Sequence, residues 1–214
     1  MKVCGLTGGM GLGKSTAARL FQERGALIVD ADELARLLVQ PGRPALAEIQ
    51  TAFGKNLVSP DGQLRRDELA RIVFADAAAR RRLEAILHPR IREGWLAQIE
   101  TWLAAPKRPA ATVREHGGSD GGRGENRALA VVVIPLLFET QAESAFDKTV
   151  CVACSAPTQY RRLLNRGWTP EQIQQRLAAQ WPIEPKIARA DFVVWTEGAP
   201  ETCAQQIDRI IARL

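Results

Sequence analysis

The run Gly8-Gly9-Met10-Gly11-Leu12-Gly13-Lys14-Ser15-Thr16 carries residue types at a spacing suited to gripping a polyphosphate. From Gly8 through Gly13 to Lys14 and Ser15 it fits the P-loop pattern G-x-x-x-x-G-K-[ST]. Glycines let a backbone bend and approach an anion without a Cβ clash. Successive N–H groups at a helix N-terminus then form an anion nest. Lys14 reaches the β- and γ-phosphates, and the Ser15 hydroxyl is the expected Mg²⁺ ligand. Gly8, Gly9, Gly11, Leu12, Gly13, Lys14, Ser15 and Thr16 form the expected nucleotide-phosphate segment.

Further candidates follow along the chain. Asp30 and Asp32 end the short apolar run Ala26–Val29. Carboxylates at the carboxyl end of a parallel strand lie where α/β proteins bind ligands. Asp32 is therefore a candidate to orient an acceptor hydroxyl or take its proton. Both residues also read as helix N-caps, although one cap needs only one Asp. Glu139 follows the apolar run 129–134 in the same way. Arg162 and Arg166 share a helix face at i and i+4, and Arg176 follows on the next helical segment. Their alternative reading is a solvated charged face. With only two histidines a His-rich metal site is excluded, and His88 reads as a packing or capping residue.

The elements that must position these residues form an α/β chain. Apolar runs at 2–7, 26–29, 129–134, 148–153 and 191–195 read as five strands of a parallel sheet, the first three buried. Helical patterns are expected at 14–24, 44–53, 66–74, 76–87, 89–103, 158–166, 171–180 and 200–214. The helices between strands two and three are too many for one crossover, so an inserted helical subdomain is expected. The resulting division is a core at about 1–32, 129–155 and 186–214, an acceptor-binding insert at about 33–105 and a lid at about 156–185. Residues 106–128, rich in glycine and lacking apolar periodicity, read as a flexible surface insertion.

The chain has 214 residues, a net charge of +5 and 46% hydrophobic residues, which suits one domain with a sizeable core. The arginines are scattered through helices rather than gathered in a tract, so nucleic acid is not the expected partner. No apolar stretch reaches membrane-spanning length. The four cysteines lie in apolar runs, and Cys151 and Cys154 point to opposite faces of a strand. Reduced cysteines, a cytoplasmic location and a monomer are expected. A GTPase would show N-K-x-D and D-x-x-G, and neither occurs. Pro135 stands where the acidic residue of a motor-ATPase strand would be. A small-molecule kinase fits better, whether its acceptor is nucleotide-like or another small hydroxylated compound; a switch or assembly ATPase is the non-kinase alternative.

Several motifs, in order, resemble the bacterial dephospho-coenzyme A kinases over nearly the full length. They are LTGGMGLGKST (6–16), DADELAR (30–36), DGQLRRDELARIVF (61–74), LHPRI (87–91), PLLFE (135–139), QYRRLLNR (159–166) and the K…AD run ending at Asp191. The resemblance implies a P-loop fold and transfer of the ATP γ-phosphoryl group, with Mg²⁺, to the 3′-hydroxyl of dephospho-coenzyme A. It implies Asp32, Lys14, Arg162 and Arg166 as catalytic residues, the two arginines lying in the lid with Arg176. Asp32, Arg66, His88, Pro135, Leu136, Leu137, Phe138 and Glu139 would line the acceptor side. Leu12 stands where the family often has Ser or Thr, and Trp195-Thr196 replaces a common Asp-Asn near the adenine.

Overall fold

The computed structural model describes residues 1–104 and 129–214. The surface insertion expected at 106–128 lies outside the described residues. Five strands form one parallel sheet: β1 (Lys2–Thr7), β2 (Leu27–Asp30), β3 (Leu129–Val133), β4 (Lys148–Ala153) and β5 (Phe192–Trp195). Their order is β2-β3-β1-β4-β5. The neighbours β1 and β3 therefore send their connections in opposite directions, β1 toward β2 and β3 toward β4. Such a switch point opens a crevice at the carboxyl ends of the two strands. Leu6 sits beside Val133 in register, and Ile134 N–H continues the pairing to the Leu6 carbonyl at 2.9 Å.

Every residue of β3 is buried, as its unbroken apolar sequence requires of a central parallel strand. Alternate residues serve the two faces. Val131 and Val133 pack with Phe21 of α1 (Lys14–Glu23) and Ile207 of α9 (Pro200–Ile211). Val132 and Ile134 pack with Trp95 and Ile99 of α5 (Ala77–Ala104). A third apolar cluster holds the insert together. It joins Val39, which follows α2 (Ala31–Leu38), Ile49 of α3 (Pro44–Phe53), Leu69 and Val73 of α4 (Arg66–Ala75), and Ile86 of α5.

Two elements differ from the sequence reading. The helices expected at 76–87 and 89–103 are one 28-residue helix, α5, with Pro89 inside it. Proline removes one N–H bond and normally breaks a helix. Here both halves are anchored, Ile86 in the insert cluster and Trp95 and Ile99 against the sheet. Packing holds the axis across the break. The second difference is α8 (Ile183–Arg189), which the sequence reading leaves unassigned. Pro182 and Pro185 look like breakers, but both fall at the helix start, where a missing N–H costs little. The helices expected as a lid are α6 (Ala156–Leu164) and α7 (Pro170–Ala178), each beginning a residue or two before its expected start.

Candidate active site

The loop between β1 and α1 is shaped by its glycines. Gly8 has φ 144°, and a Cβ there would lie 2.6 Å from the Val152 carbonyl oxygen. Gly13, at φ 97°, caps α1 in the left-handed region. The loop therefore wraps tightly over the end of β4 and delivers Lys14 to the start of α1. Lys14 Nζ donates to the carbonyls of Gly8 at 2.8 Å and Gly9 at 2.9 Å. Burial pushes its pKa down to about 8; Lys186 and Arg166 act in the same direction, and Asp32 opposes them. Ser15 is exposed at the loop–helix junction.

The two readings of Asp30 and Asp32 separate cleanly. Asp30 is the N-cap of α2, its Oδ1 accepting the Asp32 N–H at 2.8 Å. The Asp32 carboxylate is left without a capping duty. It lines a cavity of about 1020 Å³ that Lys14, His88, Pro135, Leu136 and Glu139 also line. Enclosure raises the Asp32 pKa, Asp30 adds to the rise, and Lys14 and Arg36 oppose it. His88 is half-buried, and burial lowers its pKa against a weaker pull from Glu84. Pro135 is held over β1 by Thr7 Oγ1, which donates to its carbonyl at 3.2 Å.

Three of the expected acceptor residues stand elsewhere. Leu137 and Phe138 are fully buried in the cluster with Trp95. A turn that puts Leu136 and Glu139 into the cavity sends the two residues between them into the core. Leu137 lies so close to Gly5 that a Cβ there would meet it at 2.5 Å. Arg66, at the start of α4, is exposed and does not line the cavity.

The lid rests on the phosphate loop. Gln159 Nε2 donates to the Met10 carbonyl at 2.8 Å, and Met10 N–H donates to Gln180 Oε1 at 3.3 Å. Arg162 is turned away from the cavity. Its Nη2 donates to the Thr196 carbonyl at 2.7 Å and its Nη1 to Thr196 Oγ1 at 2.9 Å. Thr196 Oγ1 in turn donates to the Leu12 carbonyl at 2.7 Å. Arg166 falls past the end of α6 at Leu164, so it does not share a helix face with Arg162 as the i, i+4 spacing suggests; it is exposed, and its charge is felt at Lys14. Arg176 lies 4.3 Å from the Trp168 ring centroid and 5.2 Å from that of Phe74, bridging the lid to the insert.

Sequence reading missed part of the lining. Arg80, Arg81 and Arg92 of α5, with Gln180 and Trp181, face the same cavity. The run Arg80-Arg81-Arg82 is a signal that could have marked this stretch, but only the unbroken α5 shows which arginines face the cavity.

A parallel sheet with a glycine phosphate loop at its switch point and a carboxylate in the same cavity defines a P-loop kinase. The dephospho-CoA kinase family model matches residues 2–113 and 112–201. A dephospho-CoA kinase of Anaeromyxobacter dehalogenans is 45% identical over 100% of this chain and 92% of its own. That of Geobacter sulfurreducens is 40% identical over 100% and 98%. The solved dephospho-CoA kinase of Campylobacter jejuni superposes with a TM-score of 0.65 at 25% identity, covering 99% of this chain and 96% of that one. A Thermus thermophilus crystal structure gives 0.77 at 29%, covering 100% and 97%. The chain belongs to the dephospho-CoA kinase family.

Proposed function

We propose that the protein transfers the γ-phosphoryl group of ATP to the ribose 3′-hydroxyl of dephospho-coenzyme A, yielding coenzyme A and ADP. The observation that carries this reading is that Lys14 of the donor loop and Asp32 at the start of α2 line one cavity. Phosphoryl transfer asks a protein chiefly for positioning and charge stabilisation. Asp32 accepts or orients the acceptor proton, and enclosure raises its pKa. Lys14 exchanges the Gly8 and Gly9 carbonyls for the β- and γ-phosphates. Gly8, Gly9, Gly11, Leu12, Gly13, Ser15 and Thr16 complete the loop around them.

Ser15 is suited to a nucleotide-borne Mg²⁺, being an exposed hydroxyl at the loop–helix junction. Among the described residues no group of three His, Cys, Asp or Glu side chains could hold a metal by itself. Mg²⁺, bound by the ATP phosphates and Ser15, would neutralise charge developing on the transferring group. His88, Pro135, Leu136 and Glu139 form the acceptor wall. Arg80, Arg81 and Arg92 suit the diphosphate that joins the two halves of dephospho-coenzyme A. Gln180 and Trp181, at the lid's return, help to exclude water that would otherwise hydrolyse ATP. Arg166 adds charge from the lid. Among the described residues no helix is long and apolar enough to cross a membrane. A cytoplasmic monomer acting on these two small substrates, without nucleic acid, completes the reading.

Asp32→Asn tests the assignment. Single-turnover transfer should fall by about 10²- to 10⁴-fold while ATP still binds. Unchanged transfer would remove Asp32 from the mechanism.

A further inference from the structure

Among the described residues, Lys186 is the only charged side chain buried in the core, at 0% exposure. Burying an ammonium is unfavourable unless it is paired and hydrogen-bonded. Both partners of Lys186 lie on one short segment, the turn that leaves β3. Nζ is 2.6 Å from Glu139 Oε1 and donates to the Pro135 carbonyl at 3.0 Å. Those two residues bound the segment whose Pro135, Leu136 and Glu139 line the cavity. Glu139 Oε1 also accepts the Trp181 N–H at 3.1 Å. Its neighbour Gln180 accepts from Met10 of the phosphate loop.

Lys186 therefore sits under a junction of three parts. The acceptor turn, the return of the lid and the donor loop meet within a few residues of it. A hydrophobic side chain would fill the same volume with less desolvation. Leu137 and Phe138 already anchor the middle of the turn in the core. The ion pair adds a fixed position for both ends of the turn, which apolar packing does not specify. Lys186 does not line the cavity. Its charge nevertheless lies close enough to lower the Lys14 pKa.

We propose that Lys186 is a positioning residue for the acceptor: acting through Glu139 and the Pro135 carbonyl, it holds the 135–139 turn where the acceptor nucleoside binds. The assignment rests on the phosphoryl-transfer reading above. It separates two substrates that share one cavity. The turn belongs to the acceptor wall, whereas the ATP phosphates are held by the glycine loop.

The test uses Lys186→Met, Glu139→Gln and the double variant, with wild type as control, in steady-state assays that resolve the coenzyme A product. Lys186→Met leaves the Glu139 carboxylate buried without its cation, so the melting temperature should drop. In the double variant that charge is gone and the melting temperature should return toward wild type. The KM for dephospho-coenzyme A should stay raised by about tenfold or more in the double variant, with KM for ATP near wild type, because displacement of a positioning group costs up to about a hundredfold. Recovery of the acceptor KM together with the melting temperature would reduce the pair to a stability element and overturn the proposal. An equal rise in both KM values would overturn it as well. If Lys186→Met fails to fold, the double variant is compared with Glu139→Gln, which keeps the Lys186 bond to the Pro135 carbonyl; an acceptor KM no higher than that of Glu139→Gln would overturn the proposal. Wild type that forms no coenzyme A would overturn the reaction itself, a result distinct from unaltered variant kinetics in an active enzyme.

Discussion

Arg162 grips Thr196 twice, with Nη2 2.7 Å from its carbonyl oxygen and Nη1 2.9 Å from its Oγ1. Thr196 hands the connection on to the Leu12 carbonyl. In this arrangement α6 is tied to the strand β5 end and, both through Thr196 and by a direct bond from Arg162 Nη1 to the Gly11 carbonyl at 3.4 Å, to the phosphate loop. Arg162→Ala and Thr196→Val should each raise the KM for ATP. Because they cut one network, their effects should be non-additive, with a coupling of about 0.5–3 kcal/mol in a double-mutant cycle on kcat/KM. Simple additivity would show that Arg162 acts on the phosphoryl group without the help of Thr196.

Arg81 and Arg92 face the cavity, and among the described residues neither is in an ion pair. Their assignment to the acceptor diphosphate has an internal control. Arg92→Ala and Arg81→Ala should raise the KM for dephospho-coenzyme A by about tenfold, the effect of about 1.4 kcal/mol. The KM for adenosine, an acceptor without the diphosphate, should not move. Equal changes for both acceptors would place these arginines elsewhere in the mechanism.

The four cysteines are buried and unbridged. Burial pushes Cys4 up to about 12, with Asp147 and Asp191 adding to it, and pushes Cys151 up to about 11. Burial raises Cys154 and Cys203 as well. Thiolate is the reactive form. The native protein should therefore resist a thiol reagent at pH 8, and denaturation should release all four thiols. Fast labelling of the native state would contradict this burial.

Asp191 stitches β4 to the start of β5. Its Oδ2 accepts from Thr149 N at 2.8 Å and Thr149 Oγ1 at 2.9 Å, and its Oδ1 accepts from Lys148 Nζ at 2.7 Å. Burial pushes its pKa up, but the bonds from Lys148 and Thr149 outweigh that and leave it below 3.8. A carboxyl depressed on folding stabilises above its unfolded value and loses that contribution as pH falls through the folded one. Asp191→Asn should cost about 1–3 kcal/mol near neutrality. The gap to wild type should narrow as pH falls below 3.8. Denaturant melts at several pH values measure both; a gap independent of pH would contradict the carboxylate's role.

The phosphate loop was legible in the sequence because its chemistry is local: glycines, Lys14 and Ser15 follow one another between a strand and a helix. The five strands were legible as short apolar runs, most clearly β3, which is buried throughout; the edge strand β5 keeps its apolar run although Val193 and Trp195 are exposed. Asp30 and Asp32 were visible as candidates, but their division into cap and cavity residue depends on the turn of α2. Pro89 reads as a break because the packing that overrides it comes from the sheet on one side and the insert on the other. Arg162 and Thr196 lie 34 residues apart, and Lys186 and Pro135 lie 51 apart. No spacing rule joins such pairs; the fold does.

The central claim is the transfer of a phosphoryl group to dephospho-coenzyme A. It is tested most directly by incubating the protein with ATP, Mg²⁺ and dephospho-coenzyme A and resolving the products by mass. The expected result is an acceptor heavier by one phosphoryl group, formed only when all three are present and lost in Asp32→Asn. Bound ATP with no such product, or a product that forms equally well in Asp32→Asn, would contradict the account.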